Sequence, residues 1–333
     1  MIKVGIIGFG YWGPNLVRNF SKQSLGKVIS IAEANLLLHP KIKDQYDDVT
    51  LYNNAEDLIY SKDIDAVVIA TPVFTHFKLA KLALENGKHV LLEKPMTSSV
   101  KESEILINLS KSKNLTLMVD HTFLYTGAVR KIKELIDANE LGDLQYFDST
   151  RINLGLFQPD INVLWDLAPH DISILNFLIP KKPYSVNATG VSHTKNNIEN
   201  IAYLTVNYED GFIAHFNCSW TSPVKVRSTL IGGDKKMVQY NDLEPSEKIR
   251  VYDTGYNHKI ENSNKILVDY RVGDVFIPKL STHEALSEVA RDFLESIENN
   301  TTPISNYDCG IDVVKVLEAA QVSIKNNGKE IRI

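Results

Sequence analysis

The sequence predicts an α/β domain built on a doubly wound parallel sheet of the Rossmann type, followed by an α+β domain with a large, mainly antiparallel open sheet. Three observations carry this. A short apolar run at the N-terminus empties into a glycine-rich turn, with an acidic residue further on at Glu33. Apolar runs of strand length then alternate with helical patterns as far as about residue 120, which is the grammar of parallel βα units. Beyond that point the strands become long and alternating and the helices thin out, which is the grammar of an antiparallel sheet. The expected boundary puts a dinucleotide-binding domain at 1–121 and a substrate-binding and oligomerisation domain at 122–333.

Residues 2–7 are the first apolar run, and they end at Gly8-Phe9-Gly10-Tyr11-Trp12-Gly13. A helical pattern through Phe20 follows, with Leu16, Val17 and Phe20 spaced for one face. The next run, 27–32, closes on Glu33. A G-x-G-x-x-G pattern set between a strand and a helix lets backbone approach a pyrophosphate at a helix N-terminus. Glu33 falls where a carboxylate binds the ribose hydroxyls and repels a 2′-phosphate. No arginine follows it closely, so NAD is expected rather than NADP.

Further strand runs lie at 49–52, 65–70, 88–92 and 115–119, separated by helical patterns. The run 66–70 ends at Thr71-Pro72, with His76 just beyond, either lining the cofactor cleft or capping the helix it begins. The run 88–92 ends at Glu93-Lys94-Pro95. Proline forbids helix and pushes the residue before it into an extended conformation, so Lys94 is held where a strand ends. In an open α/β sheet that is where ligands bind.

After Asp120 the chain passes through a loop into an amphipathic helix with Val129, Ile132, Leu135 and Ile136 on one face. Residues 200–208 and 212–220 flank Glu209-Asp210-Gly211 and read as a hairpin. One face of the second strand is Phe212, Ala214, Phe216, Cys218 and Trp220, while the other carries Ile213 beside His215 and Asn217. Apolar residues on both faces predict that a second subunit covers the outer one. Residues 240–275 are polar and Asn-rich and predict no firm structure. Residues 283–298 and 311–325 read as helices.

Composition excludes several classes. The 333 residues carry 36 Lys+Arg against 41 Asp+Glu, a net charge of -5, so no basic field advertises nucleic acid or an anionic membrane. With 44% hydrophobic residues the chain can bury the cores of two domains. No apolar span approaches the ~20 residues of a transmembrane helix. The N-terminus runs straight into a strand without a signal-peptide layout, which points to the cytoplasm. The two cysteines, Cys218 and Cys309, make no disulfide framework and have no metal-ligand spacing, so no metal is expected.

A second constellation lies at 162–172. Pro169 is best tolerated in a first helical turn, which puts Asp166 near the N-cap and His170 within the first turn. Four apart, the two side chains project on one side of the helix. The positive end of the helix dipole favours neutral imidazole, and the carboxylate orients the ring, as a general base requires.

Residues 8–13, Glu93-Lys94-Pro95 and the Asp166-x-x-x-His170 spacing together resemble the Gfo/Idh/MocA family, the glucose–fructose oxidoreductase and inositol dehydrogenase group. The resemblance runs over essentially the whole chain, including the helix at 284–297 and the ending Asn327-Gly328-Lys329. It implies an N-terminal NAD(P) domain and a C-terminal sheet that mediates homodimers or homotetramers. It implies that Lys94 and His170 flank substrate and nicotinamide, with Asp166 as their polar partner, so that these three are the catalytic candidates. Gly8, Phe9, Gly10, Tyr11, Trp12, Gly13 and Glu33 are then the cofactor residues, joined by Thr71, Pro72, His76, Glu93 and Lys94. Many members have glycine two residues before the histidine, where this chain has Ala168 and then Pro169, which implies a differently shaped pocket.

Within the family, residues 10–19, 121–125 and 165–171 resemble members acting on nucleotide-linked sugars in surface-polysaccharide or lipid A biosynthesis. These include the UDP-N-acetylglucosamine and UDP-N-acetylglucosaminuronate 3-dehydrogenases. His121, Tyr125 and Trp165 thereby join Lys94, Asp166 and His170 as substrate-binding candidates. The residues alone reach NAD-linked oxidation or reduction of a polyol or sugar alcohol. The alternatives left open are a ketoreductase of a nucleotide keto-deoxysugar, an inositol or free-sugar dehydrogenase, and an NAD-sensing binding protein. A sensor has no need of an acid–base set, and Lys94, Asp166 and His170 argue against it.

Overall fold

The apolar runs of the first third become the strands of one sheet in the computed structural model, which describes residues 1–262 and 265–333, with the backbone alone within 257–262 and 265–269. β1 (Ile2–Ile7), β2 (Gly26–Ala32), β3 (Thr50–Tyr52), β4 (Ala66–Ile69), β5 (His89–Glu93) and β6 (Leu117–Asp120) pair in the order β3-β2-β1-β4-β5-β6. Every pairing is parallel. All four residues of β4 are buried, as expected of a parallel strand whose two faces are covered by crossover helices. Those helices are α1 (Gly13–Phe20), α2 (His39–Gln45), α3 (Ala55–Tyr60), α4 (Val73–Glu85) and α5 (Val100–Lys113). Local chemistry sets their ends. Asn54 accepts the Asp57 N–H at 2.8 Å to start α3, Ser99 accepts the Glu102 N–H at 3.3 Å to start α5, and Asn114 ends α5 at φ 52°. Strand order reverses around β1, whose neighbours are β2 and β4. The loops leaving the C-terminal ends of β1 and β4 therefore open a crevice there.

The chain divides into two compact units, Met1–Tyr125 with His283–Lys315, and Thr126–Thr282 with Val316–Ile333. The boundary expected at 121/122 left 283–315 with the second domain, and the structure assigns it to the first. The reason is packing of α8 (Ala285–Asn299), which follows α6 (Gly127–Asp137) and α7 (Val163–Leu178) in the chain. Phe293 of α8 meets Phe20 of α1 edge-on at 6.2 Å. A Cβ on Gly26 would stand 2.8 Å from Leu294. Glu284, just before α8, takes both terminal nitrogens of Arg18 at 2.9 and 2.5 Å. A helix distant in sequence covers α1 because both present an apolar stripe.

The second unit is a nine-stranded sheet. Its strands are β7 (Leu144–Leu154), β8 (Ser185–Val191), β9 (Ile201–Asn207), β10 (Ile213–Ser219), β11 (Thr221–Gly233), β12 (Met237–Asn241), β13 (Ile249–Asn262), β14 (Lys265–Phe276) and β15 (Ile331–Arg332), in the order β14-β13-β12-β11-β7-β10-β9-β8-β15. Among the described residues of this sheet, only β7 and β10 pair in parallel. The expected hairpin is β9 and β10, opposed from Ile213↔Asn207 to Ser219↔Ile201, with Gly211 at φ 86° in its turn. The stretch 240–275, expected to lack firm structure, contains β13 and β14, which pair with each other antiparallel. Residues 263–264 lie outside the described residues. A hairpin at a sheet edge needs backbone pairing more than a buried face. Tyr270 and Val272 are accordingly exposed, and the apolar alternation that marks a strand is weak there.

Helix α7 packs on the inner face of this sheet, where Ala214, Phe216 and Cys218 are buried. Behind it, Arg151 of β7 grips Asp171 of α7 bidentately, Nε to Oδ2 and Nη2 to Oδ1, both at 2.7 Å and both residues buried. Breaking a buried pair strands one charge in a low-dielectric interior. Asp171→Ala is expected to lower the stability of the second unit by about 3–5 kcal/mol. Replacing both partners with apolar residues, Arg151→Met with Asp171→Leu, is expected to recover most of that. Urea denaturation monitored by tryptophan fluorescence reads the difference, and equal losses in the single and double variants would contradict it.

Candidate active site

The glycine turn between β1 and α1 sorts its three glycines by physical cause. Gly8 has φ 95°, and a Cβ there would stand 2.5 Å from the Ala70 carbonyl oxygen. A Cβ on Gly13 would stand 2.4 Å from the Gly8 carbonyl oxygen. Both are required by the fold itself. Around a Cβ on Gly10 nothing lies within 4 Å, so packing gives no reason for a glycine there. A ligand that must approach the backbone does, and this open backbone fits the pyrophosphate of a dinucleotide. Helix α1 begins at Gly13, the last glycine of this turn, without a side-chain cap, so its positive end adjoins the same turn.

Phe9 is buried and meets Tyr46 edge-on at 6.0 Å, so its ring is core. Its N–H donates to Glu33 Oε2 at 2.6 Å, and the Asn35 N–H donates to Glu33 Oε1 at 2.7 Å. The carboxylate expected to meet the ribose is thereby locked beside the glycine turn. Each oxygen keeps a lone pair for a further donor. Tyr11 and Trp12 are exposed beside it, in edge contact at 5.7 Å.

At the neighbouring strand ends, Thr71 Oγ1 and Thr75 Oγ1 are 2.5 Å apart, and Thr75 also donates to the Pro72 carbonyl at 2.7 Å. His76 is 1% exposed, with Nε2 2.9 Å from the Thr71 carbonyl and Nδ1 3.0 Å from the Pro95 carbonyl. It neither lines a cleft nor caps α4. Its ring is enclosed between the turn after β4 and the turn after β5, where a neutral imidazole donates to one of the two carbonyls, and burial holds its pKa below the ordinary value. Lys94 leaves β5 directly, through a cis peptide bond to Pro95. Its neighbour Glu93 pairs in register with Asp120 at the end of β6. The Asp120 carboxyl, which the sequence reading passed over, accepts from Thr122 Oγ1 at 2.6 Å. Its strand-end position was the signal that could have found it.

His121 is 1% exposed, and neither ring nitrogen has a partner among the described residues. Burial, with the Lys94 charge second, pushes its pKa down to about 3, so it is a neutral imidazole. Tyr125, expected to contact substrate, donates its hydroxyl to Asp292 at 2.6 Å and accepts the Ser305 N–H at 3.2 Å. Its donor is used inside the first unit.

In the second unit, α7 starts one turn earlier than the proline suggested. Asn162 is the N-cap and accepts the Trp165 N–H at 3.1 Å, and Pro169 lies inside the helix. Asp166 is in the first turn and His170 falls in the second, beyond the strongest reach of the helix dipole. The four-residue spacing still sets both on one side of the helix. Trp165 is buried. Asp166 Oδ2 accepts from the indole Nε1 of Trp220 at 2.9 Å, and Trp220 in turn packs against Phe157 at 5.5 Å. Trp220 was read from the sequence only as core, although a buried indole N–H demands a partner. The sites thus fall into two groups. Residues 8–13, Glu33, Thr71, Pro72, His76, Glu93, Lys94, His121 and Tyr125 belong to the first unit, and Trp165, Asp166 and His170 to the second.

A model of the oxidoreductase family with the NAD-binding Rossmann fold matches residues 2–121, and one of the GFO/IDH/MocA C-terminal domain matches residues 129–239. A UDP-N-acetylglucosamine 3-dehydrogenase of Acidithiobacillus ferrooxidans is 26% identical over 249 residues, covering 71% of either chain. Its solved structure superposes with a TM-score of 0.80 at 21% identity, over 98% of this chain and 99% of that one. The scyllo-inositol 2-dehydrogenase (NADP(+)) of Bacillus subtilis is 23% identical over 350 residues, 97% of this chain and 94% of its own. An aldose-aldose oxidoreductase from Caulobacter crescentus, solved with glycerol, gives a TM-score of 0.84 at 17% identity over 100% and 99% of the two chains. At such identities the structural likenesses speak for the fold.

The division among the glycines can be tested. Gly10→Ala is expected to keep stability within about 1 kcal/mol yet weaken NADH binding by about tenfold or more, ~1.4 kcal/mol. Gly13→Ala is expected to destabilise by about 1–3 kcal/mol through the clash with Gly8. Thermal melts and NADH fluorescence titration read both. Unchanged NADH affinity in Gly10→Ala would remove the open backbone from the dinucleotide site.

Proposed function

The chain belongs to the Gfo/Idh/MocA oxidoreductase family, and from that premise we propose that it oxidises a secondary hydroxyl of a sugar, C3 of a nucleotide-linked N-acetylamino sugar, with NAD as hydride acceptor. The observation that carries this reading is the position of Lys94. The C-terminal edge of one parallel sheet presents the open backbone at Gly10 after β1 and, two strands along, the lysine after β5. NAD bound along that edge supplies the carbon that takes the hydride. As the hydride leaves, the substrate oxygen gains alkoxide character, and an ammonium beside it stabilises the transition state more than the ground state. We assign that role to Lys94. His170, with Asp166 on the same side of α7 and Trp220 orienting Asp166, handles the proton. The reverse sharing, with Lys94 taking the proton and His170 positioning the substrate, uses the same residues. The carboxylate of Glu33 beside the glycine turn favours a free ribose 2′-hydroxyl and therefore NAD.

The nucleotide-sugar 3-dehydrogenase among the relatives supports a nucleotide-linked substrate. The scyllo-inositol dehydrogenase, alignable over nearly the whole chain, supports a second reading in which the substrate is a free polyol. NADH formation followed by absorbance, with UDP-N-acetylglucosamine, its uronate, free sugars and inositols, decides between them. Lys94→Ala and His170→Ala are each expected to lower kcat by about 10²-fold or more while NAD affinity holds. Near-native turnover in either variant removes that residue from the mechanism.

On the outer face of the nine-stranded sheet, Tyr203 is 47% exposed, Ile213 45% and Leu230 42%, and Tyr203 stacks on His215 at 6.4 Å. Apolar side chains standing out from a broad sheet support association of identical chains through this face, as a closed dimer or tetramer. Light scattering is expected to report a homo-oligomer that Ile213→Lys dissociates. A monomeric wild type would contradict it.

A further inference from the structure

A hollow of about 540 Å³ opens in the second unit, beyond the C-terminal end of α7. Three stretches distant in sequence wall it: 181–184 after α7, 208–210 at the turn between β9 and β10, and 332–333 at β15. All of them belong to the second unit. From His170 to Leu178, the last residue of α7, the helix axis runs about 12 Å. The hollow is therefore separate from Asp166 and His170. Its volume is that of a small-molecule pocket.

The charges in its walls do not cancel one another. Lys181 is used internally, since its Nζ lies 2.5 Å from Asp210 Oδ2 and 5.3 Å from the Phe212 ring centroid. Asp210 also accepts the Phe212 N–H at 3.2 Å, and the bond from Lys181 above all holds its carboxyl below the ordinary range. Lys182 and Arg332 differ, because neither side chain has a hydrogen bond or ion pair among the described residues. The Arg332 guanidinium lies over the Tyr184 ring, 4.9 Å from its centroid, and its backbone is held opposite Ser185 in β8. That aromatic contact restrains the guanidinium without consuming any of its five N–H donors. With Lys181 and Asp210 paired off, the two remaining cations face Glu209 alone. This local surplus of positive charge stands out in a chain of net charge -5. Tyr208, 7% exposed, is part of the same wall, and its hydroxyl has no partner among the described residues. The wall thus keeps donors that the chain itself leaves unused.

We propose that this hollow binds a phosphate group, free or carried as a monoester on a small molecule, between Arg332 and Lys182. A phosphate monoester carries a charge of about -1.5 to -2 at neutral pH, which matches two cations. A guanidinium meets two of its oxygens at once, and the lysine adds a point charge. A carboxylate also fits the arginine fork, but its single charge leaves one of the two cations unanswered. The hollow exceeds the size of a phosphate ion, so the organic part of a monoester has room against Tyr184 and Pro183. Oxidation of a sugar hydroxyl makes no use of this place, and the proposal stands whatever the substrate is.

Isothermal titration calorimetry on the full chain at low ionic strength tests it, with NADH saturating so that the glycine turn is filled. Glycerol 3-phosphate and inorganic phosphate are the probes, and glycerol and acetate the controls. Both phosphates are expected to bind and both controls to give no heat of binding. The tighter of the two phosphates tells a monoester site from a site for the free ion. Lys182→Ala and Arg332→Lys are each expected to weaken binding by about tenfold or more. The second variant keeps the charge and loses the fork, so a diffuse positive surface would leave its affinity unchanged. Glu209→Gln, which removes the opposing charge, is expected to tighten binding. Lys94→Ala is expected to bind phosphate as the wild type does. Unchanged Tm and NADH affinity in the Lys182 and Arg332 variants show that they are folded. No binding of either phosphate, or wild-type affinity in both Lys182→Ala and Arg332→Lys, would overturn the site. Loss of phosphate binding in Lys94→Ala would move it to the candidate active site and overturn the proposal equally.

Discussion

Because β4, β5 and β6 run parallel, with Ile69 beside Leu92 and Glu93 beside Asp120, the chain must leave the sheet at adjacent points along one edge. Residues far apart in sequence become neighbours by that register alone. The buried ring of His76 then fills the space between two of the turns, with its nitrogens beside the carbonyls of Thr71 and Pro95 and a proton for one of them. A loop lysine on its own carries a flexible stem and a strongly hydrated charge. Here the backbone on either side of Lys94 is pinned, by pairing of β5 before it and by His76 after it. The loop that carries the lysine is therefore not free to move.

The second unit presents its residues by other means. An antiparallel sheet sends its chain back and forth and has no common C-terminal edge, so Asp166 and His170 stand on a helix laid across it. Helix α7 is secured from beneath by Arg151 and Asp171, and its first turn by Asn162, which also donates to Glu199 at 3.0 Å and Gln321 at 2.6 Å. Trp220, in the bend between β10 and β11, fixes one oxygen of Asp166. The residue next to the candidate base is therefore the anchor of its helix. A change at Asp171 would reach His170 without touching it.

Where the sequence was legible, one local signal matched one structural need. The glycine turn, Glu33 and the strand ending at Lys94 each occupy a position that backbone sterics or hydrophobic period alone dictates. Legibility failed where a competing partner lay far along the chain. Pro169 read as a helix start because proline is costly further in, but the cap at Asn162 and packing of α7 on β7 and β10 outweighed that cost. The helix α8 joined the first unit because its apolar stripe fits α1, and no local pattern in α8 names its partner. The insertion of β7 between β11 and β10 was equally invisible. Residues 249–262 and 265–276 escaped because an edge hairpin needs little apolar alternation to pair.

Some departures from good local practice fall beside the candidate side chains. A proline inside a helix costs about 3 kcal/mol, and this one immediately precedes His170. A buried polar group without a partner costs about 1–3 kcal/mol, and His121, adjacent in sequence to Asp120, has two such nitrogens. Burying a carboxyl group costs stability, and Glu93 and Asp120, in register at the ends of β5 and β6, sit beside Lys94. The sheet interior shows no comparable tension, with β4 buried along its whole length and apolar throughout. A fold of marginal stability can carry a few such costs only if the rest of the chain is locally consistent. Buried polar atoms without a partner among the described residues also occur at Asn19, Asn176 and Tyr208, so it is the proline inside α7 and the acids at the ends of β5 and β6, rather than unpaired atoms as such, that mark the two candidate side chains.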